Sequence, residues 1–244
     1  MKQREKDYHN QAIANNPRKK TEIFYTVYNS VNEFYNNFIK NNCDKQKILE
    51  IGSGKGEKTI IMAQNGGIIN SIDISDASIN YAKNNNNHPN IEYFVMDAEH
   101  LEFQDNYFDI VCGESILHHL DLEKTLLEIR RVINPNGKAL FREPLGHNIF
   151  INIFRKLTPR QRTVDEHPLT INDLKLFKKY FNKVEFKYFY MASMLAIVFN
   201  KLPCFKNLLN TFEKFDNFLF KHIPFTRKYA WQVCVILSEP KDTI

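Results

Sequence analysis

Apolar and polar positions along this 244-residue chain fall into blocks that read as strand, turn and helix in a repeating order. Lys47–Ile51, Ile68–Asp73, Ile91–Ala98 and Tyr107–Glu114 are short apolar runs bounded by Gly, Asn or Asp, the signature of buried strands. An apolar-periodic segment after Gly56 predicts a helix, and Ser75 is placed to cap another that runs to about Asn84. Ile129–Lys138 reads as a helix end, a Pro/Gly turn and the start of a fifth strand. Thr170 begins a helix over Ile171–Tyr180, Val184–Tyr190 is a sixth strand and Ala230–Leu237 the last. That last run is apolar apart from Gln232 and ends in Ser-Glu-Pro, which suits an internal position in the sheet. In residues 1–45, Tyr25, Tyr28, Val31, Phe34, Tyr35 and Phe38 recur at three- and four-residue steps, predicting a helical leader. Aromatic stripes of that kind are more often packing than ligand boxes.

The first strand runs into Glu50-Ile51-Gly52-Ser53-Gly54-Lys55-Gly56. Glycines between a strand and a helix permit positive φ and close backbone approach to a ligand, and the helix start offers free N–H groups. Three nucleotide readings compete there. A phosphate loop counted from Gly52 puts Lys58 and Thr59 in register, but Glu57 stands where that motif needs glycine, and its charge repels phosphate. The dinucleotide fingerprint needs its third glycine one residue later than Gly56. What remains is acid-x-G-x-G-x-G, which resembles the first motif of class I S-adenosylmethionine-dependent methyltransferases, whose cationic cofactor tolerates a neighbouring acid.

Further residues carry that resemblance. Asp73 ends the second strand 23 positions after Glu50, where an acid accepts hydrogen bonds from ribose hydroxyls. Asp97-Ala98 ends the third strand; in the family the Asp bonds the adenine amino group and its neighbour packs on the ring. Tyr107–Glu114 resembles the family strand beneath the sulfonium, Ile116–Leu120 its Leu-His-His-Leu stretch, and Ile129–Lys138 its Arg…Pro-Gly connection. The chain is thereby identified as similar to class I methyltransferases of the type 11/25, bacterial small-molecule kind. The implied fold is a Rossmann-like α/β three-layer sandwich on a seven-stranded, mostly parallel sheet. The implied cofactor is S-adenosyl-L-methionine, with Glu50, Gly52, Ser53, Gly54, Gly56, Asp73, Ile74, Asp97, Ala98, Gly113, Glu114 and His118 as its contacts. As isolated residues, Asp73 and Asp97 are ordinary turn acids, and Cys112 is an ordinary small core residue.

Charge divides the chain. Residues 1–140 hold 16 Lys/Arg against 19 Asp/Glu, residues 141–230 hold 16 against 7, and fourteen of the twenty Phe lie in the latter. One reading is a lysine-solubilised Phe core; the other is a rim for an anionic acceptor or for acidic lipid. Dispersed basic residues without a binding module argue against nucleic acid. Four cysteines without paired spacing suggest neither disulfides nor zinc, so a reducing cytoplasm is expected. The N-terminus lacks a signal-peptide core, and the longest apolar run, Met191–Phe199, is too short to span a bilayer. The expected organisation is one methyltransferase domain: leader 1–45, cofactor core 46–143, insertions 144–182 and 191–229, and last strand 230–239.

The first insertion carries the remaining chemistry. Arg142-Glu143-Pro144-Leu145-Gly146-His147-Asn148 and the polar stretch Arg160–Pro168 resemble a signature of a bacterial subgroup of these enzymes. His147 and His167 are the candidate bases, with Glu143 as orienting acid or alternative base. Arg142 and Arg162, with Tyr25 from the leader, are candidate acceptor contacts. The opposing reading makes Glu143, His147 and Asp165–His167 a structural network. No spacing supports a metal site. The expected function is methyl transfer to oxygen or nitrogen of a small, anionic or lipid-like acceptor, by a monomer or homodimer with at most peripheral membrane contact. The alternatives are a non-catalytic cofactor-binding partner or sensor, a nicotinamide dehydrogenase, and a phosphate-loop protein.

Overall fold

A computed structural model describes residues 2–15, 26–157 and 167–242. The leader contains α1 (Lys2–Asn15) and α2 (Asn29–Asn42), and the alternating core follows: β1 (Lys47–Ile51), α3 (Glu57–Gln64), β2 (Ile68–Asp73), α4 (Asp76–Asn85), β3 (Ile91–Val95), β4 (Phe108–Glu114), α5 (Leu122–Val132) and β5 (Ile133–Pro144). Then come α6 (Ile149–Leu157), α7 (Ile171–Tyr180), β6 (Phe181–Phe189), α8 (Phe205–His222) and β7 (Gln232–Pro240). The strands form one sheet of seven in the order β3-β2-β1-β4-β5-β7-β6, parallel except for β7. The largely apolar last run is internal, as its composition predicts, flanked on both sides by antiparallel partners.

Two cores cover the sheet. On one face Tyr35 and Ile39 of α2, Met62 of α3 and Ala82 of α4 pack on Ile48, Cys112 and Cys234. On the other, Leu126 and Ile129 of α5 and Phe177 of α7 pack on Leu49, Val111 and Phe141. The helices start where side chains satisfy their free N–H groups. Ser75 accepts from Ser78 N, Asp121 from Lys124 N, and Thr170 and Asp173 form a reciprocal capping box.

Some boundaries differ from the sequence reading. β3 stops at Val95, and the bond from Met96 N to the carbonyl of Asp73 is the last of its pairing with β2. The Asn134–Gly137 stretch, read as a turn, stays within β5 through a register shift opposite Phe108 and Ile110, with the Asn134 amide held by Asp109. β6 begins earlier, at Phe181, directly off α7. β7 runs from Gln232 rather than Ala230.

Candidate active site

β1 leads to β2 and β3 on one side of the sheet and pairs β4 on the other, so the order reverses between β1 and β4. The crevice outside the strand ends at such a reversal is where α/β sheets take ligands. Ile51 of β1 and Gly113 of β4 sit side by side there. Past Ile51, Gly52 N and Ser53 N both bond the carbonyl of Ile72, which ties the loop to β2. Gly54 then turns at φ 52, with nothing within 4 Å of where a Cβ would stand. Its N–H donates to Asp73 Oδ2 at 2.9 Å, and Ser75 N donates to Oδ1 at 2.8 Å. The carboxylate is locked at the lip of the crevice with lone pairs to spare. The Ser53 hydroxyl beside it is buried without a hydrogen-bond partner.

Glu50 does a different job. Its side chain lies inside the fold, where Thr59 of α3 and Ser71 of β2 donate to one carboxylate oxygen. Burial pushes its pKa up to about 7, against those two bonds. It braces strand against helix below the glycine loop.

α1 lies across the β2–β3 side of the crevice. Lys2 pairs with both Asp97 and Glu99, the latter at 2.8 Å. Glu5 is buried and meets His119 Nδ1 at 3.2 Å. Asn10 accepts from the Ser75 hydroxyl at 2.6 Å, and Lys6 pairs with Asp76.

On the β4–β5 side, Arg142 is buried and pairs with Glu114 at 2.7 Å. Burial is the largest single influence and opposes its charge, but the Glu114 carboxylate together with Tyr28, Cys234 and Tyr35 outweighs it and holds the pKa up. Its Nη1 donates to Asn32 of α2, and its guanidinium lies 5.3 Å from the Tyr28 ring centre. Tyr28 OH in turn accepts from Gln232 of β7 at 3.0 Å. Three polar atoms of this group, Glu114 Oε1, Arg142 Nε and Gln232 Oε1, are buried without hydrogen-bond partners. Lys58 approaches Glu114 Oε1 only to 3.7 Å, too far for a hydrogen bond. Unpaired buried polar atoms converging at strand ends fit a polar ligand better than a packed core.

Glu143 is inaccessible to solvent, and one oxygen accepts from Ile116 N and Leu117 N, each at 2.9 Å. The other contacts His118 Nδ1 at 2.7 Å. It therefore pins the turn after β4. The structure brings Glu143 together with His118, not with His147. Leu145 bridges Leu169 in parallel, and His167 N bonds the carbonyl of His118, which sets the backbone of His167 beside this network. Both His147 and His167 present exposed side chains. The next residue, Asn148, is buried, donates to the carbonyls of Tyr190 and Tyr229, and accepts from Ile151 N. Tyr25 and Arg162 lie outside the described residues. Among the described residues no group of three His, Cys, Asp or Glu side chains is placed to hold a metal, and no helix is long and apolar enough to cross a membrane.

Tyr28, Asn32 and Gln232 have no motif to announce them; Asn32 and the Tyr28 ring are brought in by contact with Arg142, and Gln232 by its bond to Tyr28.

Residues 49–141 match the family described as a methyltransferase domain. A ubiquinone biosynthesis O-methyltransferase of Coxiella burnetii is 32% identical over 97 residues, 38% of this chain and 42% of that protein. A ubiquinone/menaquinone biosynthesis C-methyltransferase of Vibrio cholerae is 32% identical over 107 residues, 40% of this chain and 41% of that protein. The matched part thus spans about two fifths of either relative's length. Among solved structures, Haemonchus contortus phosphoethanolamine N-methyltransferase 2 with S-adenosyl-L-methionine superposes at a TM-score of 0.63 and 17% identity, covering 96% of this chain and 60% of that one. An Archaeoglobus fulgidus SAM-dependent methyltransferase superposes at 0.59 and 18%, covering 86% and 90%. At those identities the structures speak for the fold.

Proposed function

We propose that the chain is a class I S-adenosylmethionine-dependent methyltransferase that transfers a methyl group to oxygen or nitrogen of a small, anionic or lipid-like acceptor. The observation that carries this reading is Asp73, clamped by the N–H groups of Gly54 and Ser75 at the lip of the crevice. A carboxylate so fixed accepts from two ribose hydroxyls without losing its own bonds. The open space at Gly54 admits the cofactor's chain against the backbone, and the partnerless Ser53 hydroxyl supplies a further contact. Ile74 follows Asp73 at the adenine side, and Asp97 with Ala98 closes that side.

When bound, S-adenosyl-L-methionine supplies an electrophilic methyl on a sulfonium. Displacement at that carbon is in-line, so alignment and exclusion of water dominate the rate. Gly113 and Glu114 end β4 at the reversal point, and His118 stands in the turn that follows. Arg142, fixed by Glu114, Asn32 and Tyr28, keeps Nε–H for an acceptor oxygen. His147 and His167, both exposed, are the candidate side chains for taking a proton from a hydroxyl or ammonium acceptor. Glu143 supports the reaction through position, holding His118 and the turn in place.

The test is calorimetric titration with S-adenosylhomocysteine, with ATP and NAD as controls. Micromolar binding that Asp73→Ala weakens at least about tenfold supports the reading, since two charge-assisted hydrogen bonds are lost. Preference for ATP or NAD, or undiminished binding in the variant, overturns it.

A further inference from the structure

A cavity of about 290 Å³ lies between α2, the end of β6 and α8. Ligand sites for small molecules begin at about that size. It is not the crevice just described. On α2, Asn32 and Asn36 face Arg142 and Lys58, whereas Ser30, Glu33 and Asn37 line the cavity on the opposite flank.

Its chemistry is one-sided. Phe34, Tyr188, Phe189, Tyr190 and Phe220 supply aromatic wall. Three carboxylates line it, Glu33, Glu213 and Asp216, against the exposed Lys187. Asp216 is fully engaged, accepting from Met191 N, Ala192 N, and Ser193 N and Oγ. Glu213 is not. One oxygen accepts from the Ser30 hydroxyl at 2.7 Å; the other is buried without a hydrogen-bond partner. Burial raises its pKa, and Asp216 and Glu33 push the same way against the Ser30 bond. A half-buried carboxylate with one buried oxygen unpaired suits a cationic partner. The wall is also held under backbone strain, since Tyr190 sits at φ 61, a conformation a bulky residue adopts only where its surroundings impose it.

We propose that this cavity binds a small organic cation, an ammonium of the choline or ethanolamine kind, with Glu213 as counter-charge and the aromatic rings as its walls. Cations over aromatic faces gain from the ring quadrupole, and a desolvated pocket strengthens that gain. Inorganic cations fit less well, because among the described residues these acids are not grouped to hold a metal ion and much of the wall is aromatic. The proposal does not rest on methyl transfer.

The test uses the whole protein and three probes: choline, ethanolamine and 3,3-dimethylbutan-1-ol, the uncharged analogue of choline. Binding is read by calorimetry and by the emission of Trp231, the single tryptophan, whose ring lies 6.3 Å from that of Tyr190. The expected result is saturable binding of choline or ethanolamine, with the uncharged analogue at least about tenfold weaker. Glu213→Gln keeps an acceptor for Ser30 and is expected to lose about tenfold for the cation, as is Tyr188→Leu, while S-adenosylhomocysteine affinity stays unchanged. No saturable cation binding to the wild type, equal binding of the uncharged analogue, or cation binding unaltered in both variants overturns the proposal. Retained S-adenosylhomocysteine binding in that case leaves the methyltransferase reading standing.

Discussion

Lys2, near the start of the first helix, pairs with Asp97, an acid just beyond the third strand and 95 positions away. Asp97 is the side chain proposed to meet the cofactor's adenine amine, so the protein's own ammonium occupies a donor position that the ligand would use. Glu99 shares the same lysine at 2.8 Å.

Binding of S-adenosylhomocysteine is therefore expected to compete with this pair. Lys2→Ala should tighten binding by about two- to fivefold, since the lysine is partly exposed and such pairs contribute under about 1 kcal/mol. Titrations at low and high salt check the mechanism, because screening weakens the pair in the wild type and has nothing to weaken in the variant. Weaker binding in Lys2→Ala would instead make the helix a clamp that closes on the ligand.

Glu50 predicts a pH dependence. Its pKa is raised from 4.5 to about 7 by burial, so between those values the folded state keeps a proton that the unfolded chain has released. Stability present below pH 4.5 is accordingly lost as pH rises through about 7, by up to roughly 3 kcal/mol. Thermal unfolding from pH 5 to 8 is expected to show this fall. In Glu50→Gln, which keeps an acceptor for Thr59 and Ser71, the fall should shrink and the neutral-pH Tm should rise. An unchanged pH slope would show that the carboxyl is not carrying the effect.

Glu143 and the two exposed histidines separate scaffold from chemistry. Glu143→Ala strands Ile116 N, Leu117 N and His118, and is expected to cost about 3 kcal/mol and roughly 10 °C in Tm. His147→Ala and His167→Ala touch solvent-facing side chains and should stay within about 0.5 kcal/mol of wild type. Any loss of methyl transfer in those two then reads on chemistry rather than folding. A Tm loss of several degrees in either would instead place it in the structural network.

Part of the site was legible along the chain because it is built from consecutive residues. The loop from Gly52 to Gly56 joins one strand to one helix, and Asp73 ends the next strand, so their meeting follows from the parallel pairing of β1 and β2. Most of the strands were likewise visible as apolar runs, since interior strands are buried on both faces, whereas the edge strand β6 alternates with exposed Lys183, Glu185 and Lys187. Boundaries shifted where a turn-like composition is held in the sheet by tertiary bonds, as at Asn134 on Asp109.

The sequence by itself determined the fold class, because the glycine loop and the strand-end motifs carry the family resemblance and local periodicity marks most of the strands. Only the tertiary structure decided which partners the charged groups keep. Glu50 went to Thr59 and Ser71, Glu143 to two backbone N–H groups and His118, Arg142 to Glu114 and Asn32, and Lys2 to Asp97. A buried charge takes the partner that the packed fold brings within 3 Å or so, and that distance has no counterpart in separation along the chain. The cavity beside Glu213 belongs to the same class: its walls come from α2, β6 and α8, elements far apart in the sequence that meet only once the sheet has closed.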